Sequence, residues 1–159
     1  MFSFPEDCKV VVAAAPQVGV PGVVTGTAVS LKNVEKLWAI VLVNPVGGGA
    51  LVLTPQTDTL VAFGSAAALT PVCRIWANEA VGTNDRLVEQ TSAVNYTTAA
   101  DANVKQVIFE IDPARLTADE RAFRVITGAL PNTDFVSIVY VMSLRYPSRV
   151  LTAPTVLTD

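Results

Sequence analysis

The sequence predicts an all-β protein: a jelly roll or related two-sheet β-sandwich of about eight strands, with extended N- and C-terminal arms. Three observations lead there. Apolar and polar residues alternate with period two in several short runs, most clearly in KQVIFEID, Lys105–Asp112, and that alternation marks a strand with one buried face. Gly, Pro, Asn and Asp punctuate the chain between these runs, as tight turns require. The best helix start, Asp112 as N-cap with Pro113 at the first position, leaves room for one short turn before FRVIT, Phe123–Thr127, resumes β character.

Residues 1–24 are rich in Val, Ala, Pro and Gly without a clear period, and Pro5, Pro16 and Pro21 favour extended geometry. They read as an N-terminal arm. TGTAVSL, Thr25–Leu31, alternates small and apolar residues with hydroxyl residues. Val34–Val43 contains the most apolar strand-like run, Leu37–Val43, seven apolar residues in succession. A strand with one wet face alternates, so this run raises the question of what covers its second face. Leu37, Ala39, Val41 and Val43 are expected to enter the core, and Trp38, Ile40 and Leu42 to lie under an arm or a neighbouring subunit. After the NPVGGG turn, ALVLT at Ala50–Thr54 is expected to be its hairpin partner.

Asp58–Leu69 is open between a short helix and a small-residue loop. In VCRIWAN, Val72, Arg74, Trp76 and Asn78 share one face and Cys73, Ile75 and Ala77 the other. Leu87–Val94 is a weaker strand candidate. In the alternating Lys105 run, Val107, Phe109 and Ile111 point one way and Gln106, Ile108, Glu110 and Asp112 the other. TADE, Thr117–Glu120, has the pattern of a capping box. FVSIVYVMS, Phe135–Ser143, is a second apolar strand. Residues 25–146 make the expected folded domain, and residues 147–159 a second apolar tail. Both arms are too apolar for solvated disordered segments, so something outside the domain is expected to receive them.

At 159 residues the chain is long enough for one core. It is 51% hydrophobic and 16% charged, below the roughly 25% charged of an average soluble chain, which points to a neutral surface covered by partners. The net charge is −3 and the eleven Lys and Arg are scattered, so nucleic acid is not an expected partner. No run reaches the 18 or so apolar residues of a membrane span. The N-terminus lacks a basic n-region, with Glu6 and Asp7 ahead of its apolar run, and does not read as a signal peptide. No membrane is expected. Cys8 and Cys73 read as reduced structural thiols of a protein made in a reducing cytoplasm.

Chemistry-bearing patterns are sparse. Histidine is absent, which removes the commonest general base and metal ligand. Two distant cysteines make a poor start for zinc. Glu110 and Asp112 share a strand face, but a solvent-facing edge explains them more simply than an acid–base pair. Gly47–Gly49 lacks the spacing of a dinucleotide fingerprint and the Lys-Ser/Thr of a P-loop, and suits a turn. Asn95-Tyr96-Thr97 matches a glycosylation acceptor with no secretion signal to accompany it. Trp38 and Trp76 are candidates for sugar stacking or for packing. Arg145 and Tyr146 end the last strand where the tail begins, and either anchor an interface or clamp the tail. No enzyme, cofactor or metal is expected.

Several pieces of the chain together resemble small proteins encoded among tailed-phage head genes: EDCKVV near the start, VSLKNVEKLWAIVLV, VCRIWANEAVGTNDRLVEQT and FVSIVYVMSLRYPS. The resemblance covers most of the chain, least at Pro45–Gly49 and Asp58–Leu69, and includes no catalytic signature. It implies a capsid decoration, or cement, protein on the outer surface of an icosahedral head, with the major capsid protein as partner and itself as homodimer or homotrimer. The expected interface residues are Phe2, Phe4, Trp38, Arg145, Tyr146, Val150 and Leu151. Arms that order on binding lose roughly 1–2 kcal/mol per residue of backbone entropy, so their apolar side chains have to dock to offset it. A head–tail connector or tail protein and a carbohydrate-binding module are the alternative readings.

Overall fold

The alternating runs are strands, and they stack as two antiparallel sheets. The computed structural model describes residues 7–18, 22–70, 72–117, 119–130, 133–145 and 157. The strands are β1 (Cys8–Val18), β2 (Gly22–Thr25), β3 (Val29–Ser30), β4 (Val34–Asn44), β5 (Val52–Asp58) and β6 (Ala67–Ala68), then β7 (Cys73–Asn78), β8 (Val88–Ala93), β9 (Tyr96–Thr97), β10 (Lys105–Ile111), β11 (Ala122–Leu130) and β12 (Phe135–Leu144). Sheet A runs β1–β12–β4–β10–β7–β8. Sheet B is centred on β11 and β5; β2 and β3 pair with β11 at different heights, and β6 and β9 likewise share the far side of β5.

Period two decides which side chains meet between the sheets. Leu37, Ala39, Val41 and Val43 of β4 are buried, as are Ile75 and Ala77 of β7 and Val107, Phe109 and Ile111 of β10. Sheet B answers with Leu53, Phe123 and Val125. Tyr140 of β12 is fully buried at the centre, its ring edge-on to Phe123 at 5.5 Å. Its hydroxyl accepts the Val125 N–H at 2.8 Å, tying sheet A to sheet B. The faces expected for β4, β7 and β10 are those observed.

Two expectations are corrected and one open alternative is resolved. The folded domain begins well before residue 25, because Cys8–Val18 is a full strand on the edge of sheet A, paired with β12 from Cys8↔Ser143 to Val18↔Phe135. Its Val and Ala side chains carry little alternation, so its strand character comes from a partner far along the chain. The NPVGGG turn does not close a hairpin: β4 pairs with β12 and β10, while β5 pairs with β11 in the opposite sheet. That turn is tightened by Gly48, whose N–H donates to the Pro45 carbonyl at 2.9 Å and whose φ of 72° suits glycine. Asp58–Leu69 is a turn leading into β6, held by Asp58, which accepts the Thr59, Leu60 and Ser65 N–H groups.

The helix start at Asp112 yields a single 3-10 turn, η1 (Pro113–Arg115), with the Ala114 N–H donating to the Asp112 carboxylate at 3.0 Å. Glu120 reaches back to the Thr117 N–H (2.8 Å) and hydroxyl (2.9 Å), the capping-box geometry closing a turn.

Candidate protein interface

Two surfaces stand out. One is the outer face of sheet A. Directly opposed residues of antiparallel strands share a face, so the register reads out its rows. One row runs Val12–Val139–Ile40–Ile108–Trp76 across β1, β12, β4, β10 and β7, apolar throughout and ~19 Å wide at the usual interstrand spacing. The next runs Val10–Val141–Trp38 and ends in Glu110 and Arg74. Leu42 adds to a third row opposite Ser137 and Gln106. Val12 is 60% exposed, Val10 50% and Leu42 41%, while Trp38, Ile40 and Trp76 are half-buried by their neighbours. A shallow apolar groove of about 220 Å³ continues the face past Leu42 to Phe135, Val104 and Pro16.

Charges on this face are confined to one side of the strip and pair among themselves. Lys36 meets Glu110 at 3.0 Å, and Arg74 meets Glu89 at 2.9 Å and Glu110 at 3.9 Å. Glu89 is the main cause that raises the Arg74 guanidinium further above its already high ordinary value. Arg74 also lies 5.1 Å from the Trp76 ring, so that tryptophan is capped by a cation on one side. Glu110 is paired with two cations and Asp112 caps η1, so each carboxylate has a structural partner of its own.

The second surface is a hollow of about 710 Å³ at one end of the sandwich. The β3–β4 turn, the segment after β5, the η1–β11 connection and Arg145 line it. Main-chain hydrogen bonds assemble it: the Leu31 N–H donates to the Arg121 carbonyl (2.7 Å), and the Arg145 N–H donates to the Asn33 carbonyl (2.8 Å). Lys32 therefore sits between residues bonded to Arg121 and to Arg145. Asn33 takes φ of 61°, a left-handed position that asparagine tolerates, which makes the turn at Lys32 tight.

Of the interface residues expected from sequence, Trp38 lies on the apolar face at its border with the ion pairs, and Arg145 on the rim of the hollow. Phe2, Phe4, Tyr146, Val150 and Leu151 lie outside the described residues. Sequence reasoning missed Val10, Val12, Lys32 and Arg121. The valines were legible only as an unpatterned run, and the cations are far apart in sequence until the fold gathers them. Cys73 is buried, its thiol donating to the Ala93 carbonyl at 3.3 Å, and burial pushes its pKa up to about 11. Among the described residues, no cluster of three or more Cys, Asp or Glu is arranged to hold a metal ion.

Fold and surface together define the class: a two-sheet all-β sandwich with an apolar outer face on one sheet and a cationic hollow at one end. No family model matches the chain, and no curated protein matches it. Among solved structures it is similar to the crystal structure of the SPBc2 prophage-derived protein YomS, at 12% identity over 86% of this chain and 92% of that one, with a TM-score of 0.45. A fainter likeness, with a TM-score of 0.16 at 8% identity over 90% and 92% of the two chains, is to desmodium yellow mottle tymovirus. Values this low leave function to be argued from the chain's own residues.

Proposed function

We propose that this chain is a structural virion protein that binds the outer surface of a tailed-phage capsid and stabilises the shell. The observation that carries the reading is the five-strand apolar row on the outer face of sheet A. A contiguous apolar strip of that width, exposed at Val12 and half-buried along the rest of its length, is a surface to be covered. Its few charges are already paired to one another, so the fitting occupant is a flat, neutral protein surface such as a shell subunit offers in many copies. The resemblance to phage head proteins supports a shell subunit as that partner.

Purified protein added to heads lacking it is expected to bind in fixed stoichiometry and to raise their rupture temperature, with Trp38 shielded from acrylamide quenching on binding. Val12→Asp with Leu42→Asp, both at exposed strand positions, is expected to cost at most about 1 kcal/mol of fold stability per site and to abolish binding. Heads that bind neither protein, or bind both equally, overturn the proposal. A copy number of six or twelve per virion instead of hundreds marks a head–tail connector. Trp38 and Trp76 sharing the open face favours the carbohydrate-binding alternative, which requires glycan binding that disappears in Trp38→Ala or Trp76→Ala.

A further inference from the structure

The hollow at the end of the sandwich gathers three cations from three distant segments of a chain whose net charge is −3. Lys32, Arg121 and Arg145 all line it, and main-chain bonds on either side of Lys32 hold together the backbone segments that carry them. Among the described residues none of the three has a carboxylate within ion-pair distance, whereas Lys36, Arg74 and Lys105 all do. The nearby acids are committed elsewhere. Glu120 lines the hollow but accepts from the Thr57 hydroxyl and from the Thr117 N–H and hydroxyl. Asp58 is buried and accepts three backbone N–H groups from its own turn. Three cations against the single Glu120 carboxylate of the lining leave an excess of positive charge, which opposes folding modestly, and nothing within the described fold is gained by it.

We infer that this hollow binds an acidic segment of a partner protein, with the partner's carboxylates on Lys32, Arg121 and Arg145 and its apolar side chains on Leu60 and Leu116. The size favours a peptide over a single small anion, since about 710 Å³ lies within the range of sites that enclose a whole ligand. The lining is mixed, with Leu60 58% exposed at the mouth, which suits a chain carrying apolar residues between its charges. Two arginines supply the planar, fork-shaped donors that match carboxylates. The acidic balance of the whole molecule disfavours nucleic acid as the occupant. The inference is independent of the apolar face of sheet A and of which particle that face meets.

The test uses the full chain and a short fluorescein-labelled peptide in which aspartates alternate with leucines, beside the same peptide with asparagines. The acidic peptide is expected to bind, to weaken steeply as salt is raised, and to shift the amide resonances of residues 31–33, 121 and 145. Combining Lys32→Gln, Arg121→Gln and Arg145→Gln, all at exposed positions, is expected to weaken it about tenfold or more while leaving the melting curve in place. Val12→Asp is expected to leave peptide binding unchanged. Absence of binding, equal binding of the asparagine peptide, or an unaltered affinity in the glutamine variant overturns the inference. Displacement of the peptide by equimolar inorganic phosphate also overturns it, in favour of a small-anion site.

Discussion

The inter-sheet tie at Tyr140 makes the most discriminating prediction about the fold. Its hydroxyl is buried and accepts the N–H of Val125, itself fully buried in the facing sheet. Burial also holds that hydroxyl protonated well above the ordinary tyrosine value. Tyr140→Phe keeps the ring and its edge-on contact with Phe123 but leaves the Val125 donor without a partner. An orphaned buried donor costs about 1–3 kcal/mol. For a chain of this size, about 2 kcal/mol corresponds to a fall in Tm of about 4–8 °C. Gly26 sharpens the test, because a Cβ there would lie 2.6 Å from the tyrosine oxygen and 3.0 Å from the Val125 carbonyl oxygen. Gly26→Ala therefore overpacks this point, for about 1–3 kcal/mol, and part of that cost vanishes once the hydroxyl is gone. Urea unfolding of the two single variants and the double variant, followed by tryptophan fluorescence, measures the coupling. Tyr140→Phe within about 0.5 kcal/mol of the parent, or Gly26→Ala equally costly in both backgrounds, would refute the reasoning.

Other consequences follow from buried and bonded groups. Lys105 is fully buried and donates to the Asp101 carboxylate and to the Asp101 and Asn103 carbonyls at 3.2 Å, with Glu79 at 3.7 Å. Lys105→Met leaves those acceptors unmatched; because both carboxylates are partly exposed, the loss in denaturant unfolding is expected near the low end of the buried-pair range, about 3 kcal/mol. Asp101 is held below the usual carboxylate range by Lys105 first and the Asn103 N–H second, and Asp58 by the Ser65 N–H first. Groups depressed in the folded state add stability that is complete above the unfolded Asp value, roughly pH 3.9. It is lost as pH falls through the folded values, so a urea midpoint series is expected to decline on acidification below about pH 4 and to decline less in Asp58→Asn. Cys73, raised to about 11, is expected to resist Ellman's reagent at pH 8 until the protein is unfolded; rapid reaction in the native state would contradict its placement.

What the sequence revealed follows from which interactions are local. The buried faces of β4, β7 and β10 were legible because alternation is a property of the strand alone, and the Asp112–Pro113 start was legible because a cap is made within three residues. The pairing of β4 was not. NPVGGG supplies the same turn residues whether the chain folds back beside β4 or crosses to the other sheet, and the choice is made by β10 and β12, which lie far along the chain. β1 was illegible for the same reason: its Val and Ala run becomes a strand through β12. The cationic hollow depends on two main-chain hydrogen bonds, Leu31 to Arg121 and Arg145 to Asn33, that no spacing foretells.

The apolar run of β4 raised the question of its second face, and the contrast between the two sheets bears on the answer. Strand propensity alone asks for β-branched residues, and threonine meets that need without adding purely apolar surface. Sheet B uses this device: Ile126 on its outer face is flanked by Thr54 and Thr25, and Arg124 lies opposite Gln56. The outer rows of sheet A place Val10, Val12, Val139, Val141, Ile40 and Ile108 at equivalent positions, with no threonine among the residues paired in those rows. Since one sheet of the same chain forms with a mixed outer face, the apolar excess on the other exceeds what folding requires. Trp38 sits where the strip meets the ion-paired Lys36, Glu110 and Arg74, the arrangement of an apolar centre with a polar rim that protein interfaces adopt. The second face of β4 is thus half-covered by its own sheet, and its remaining exposure is the surface that the proposed docking would cover.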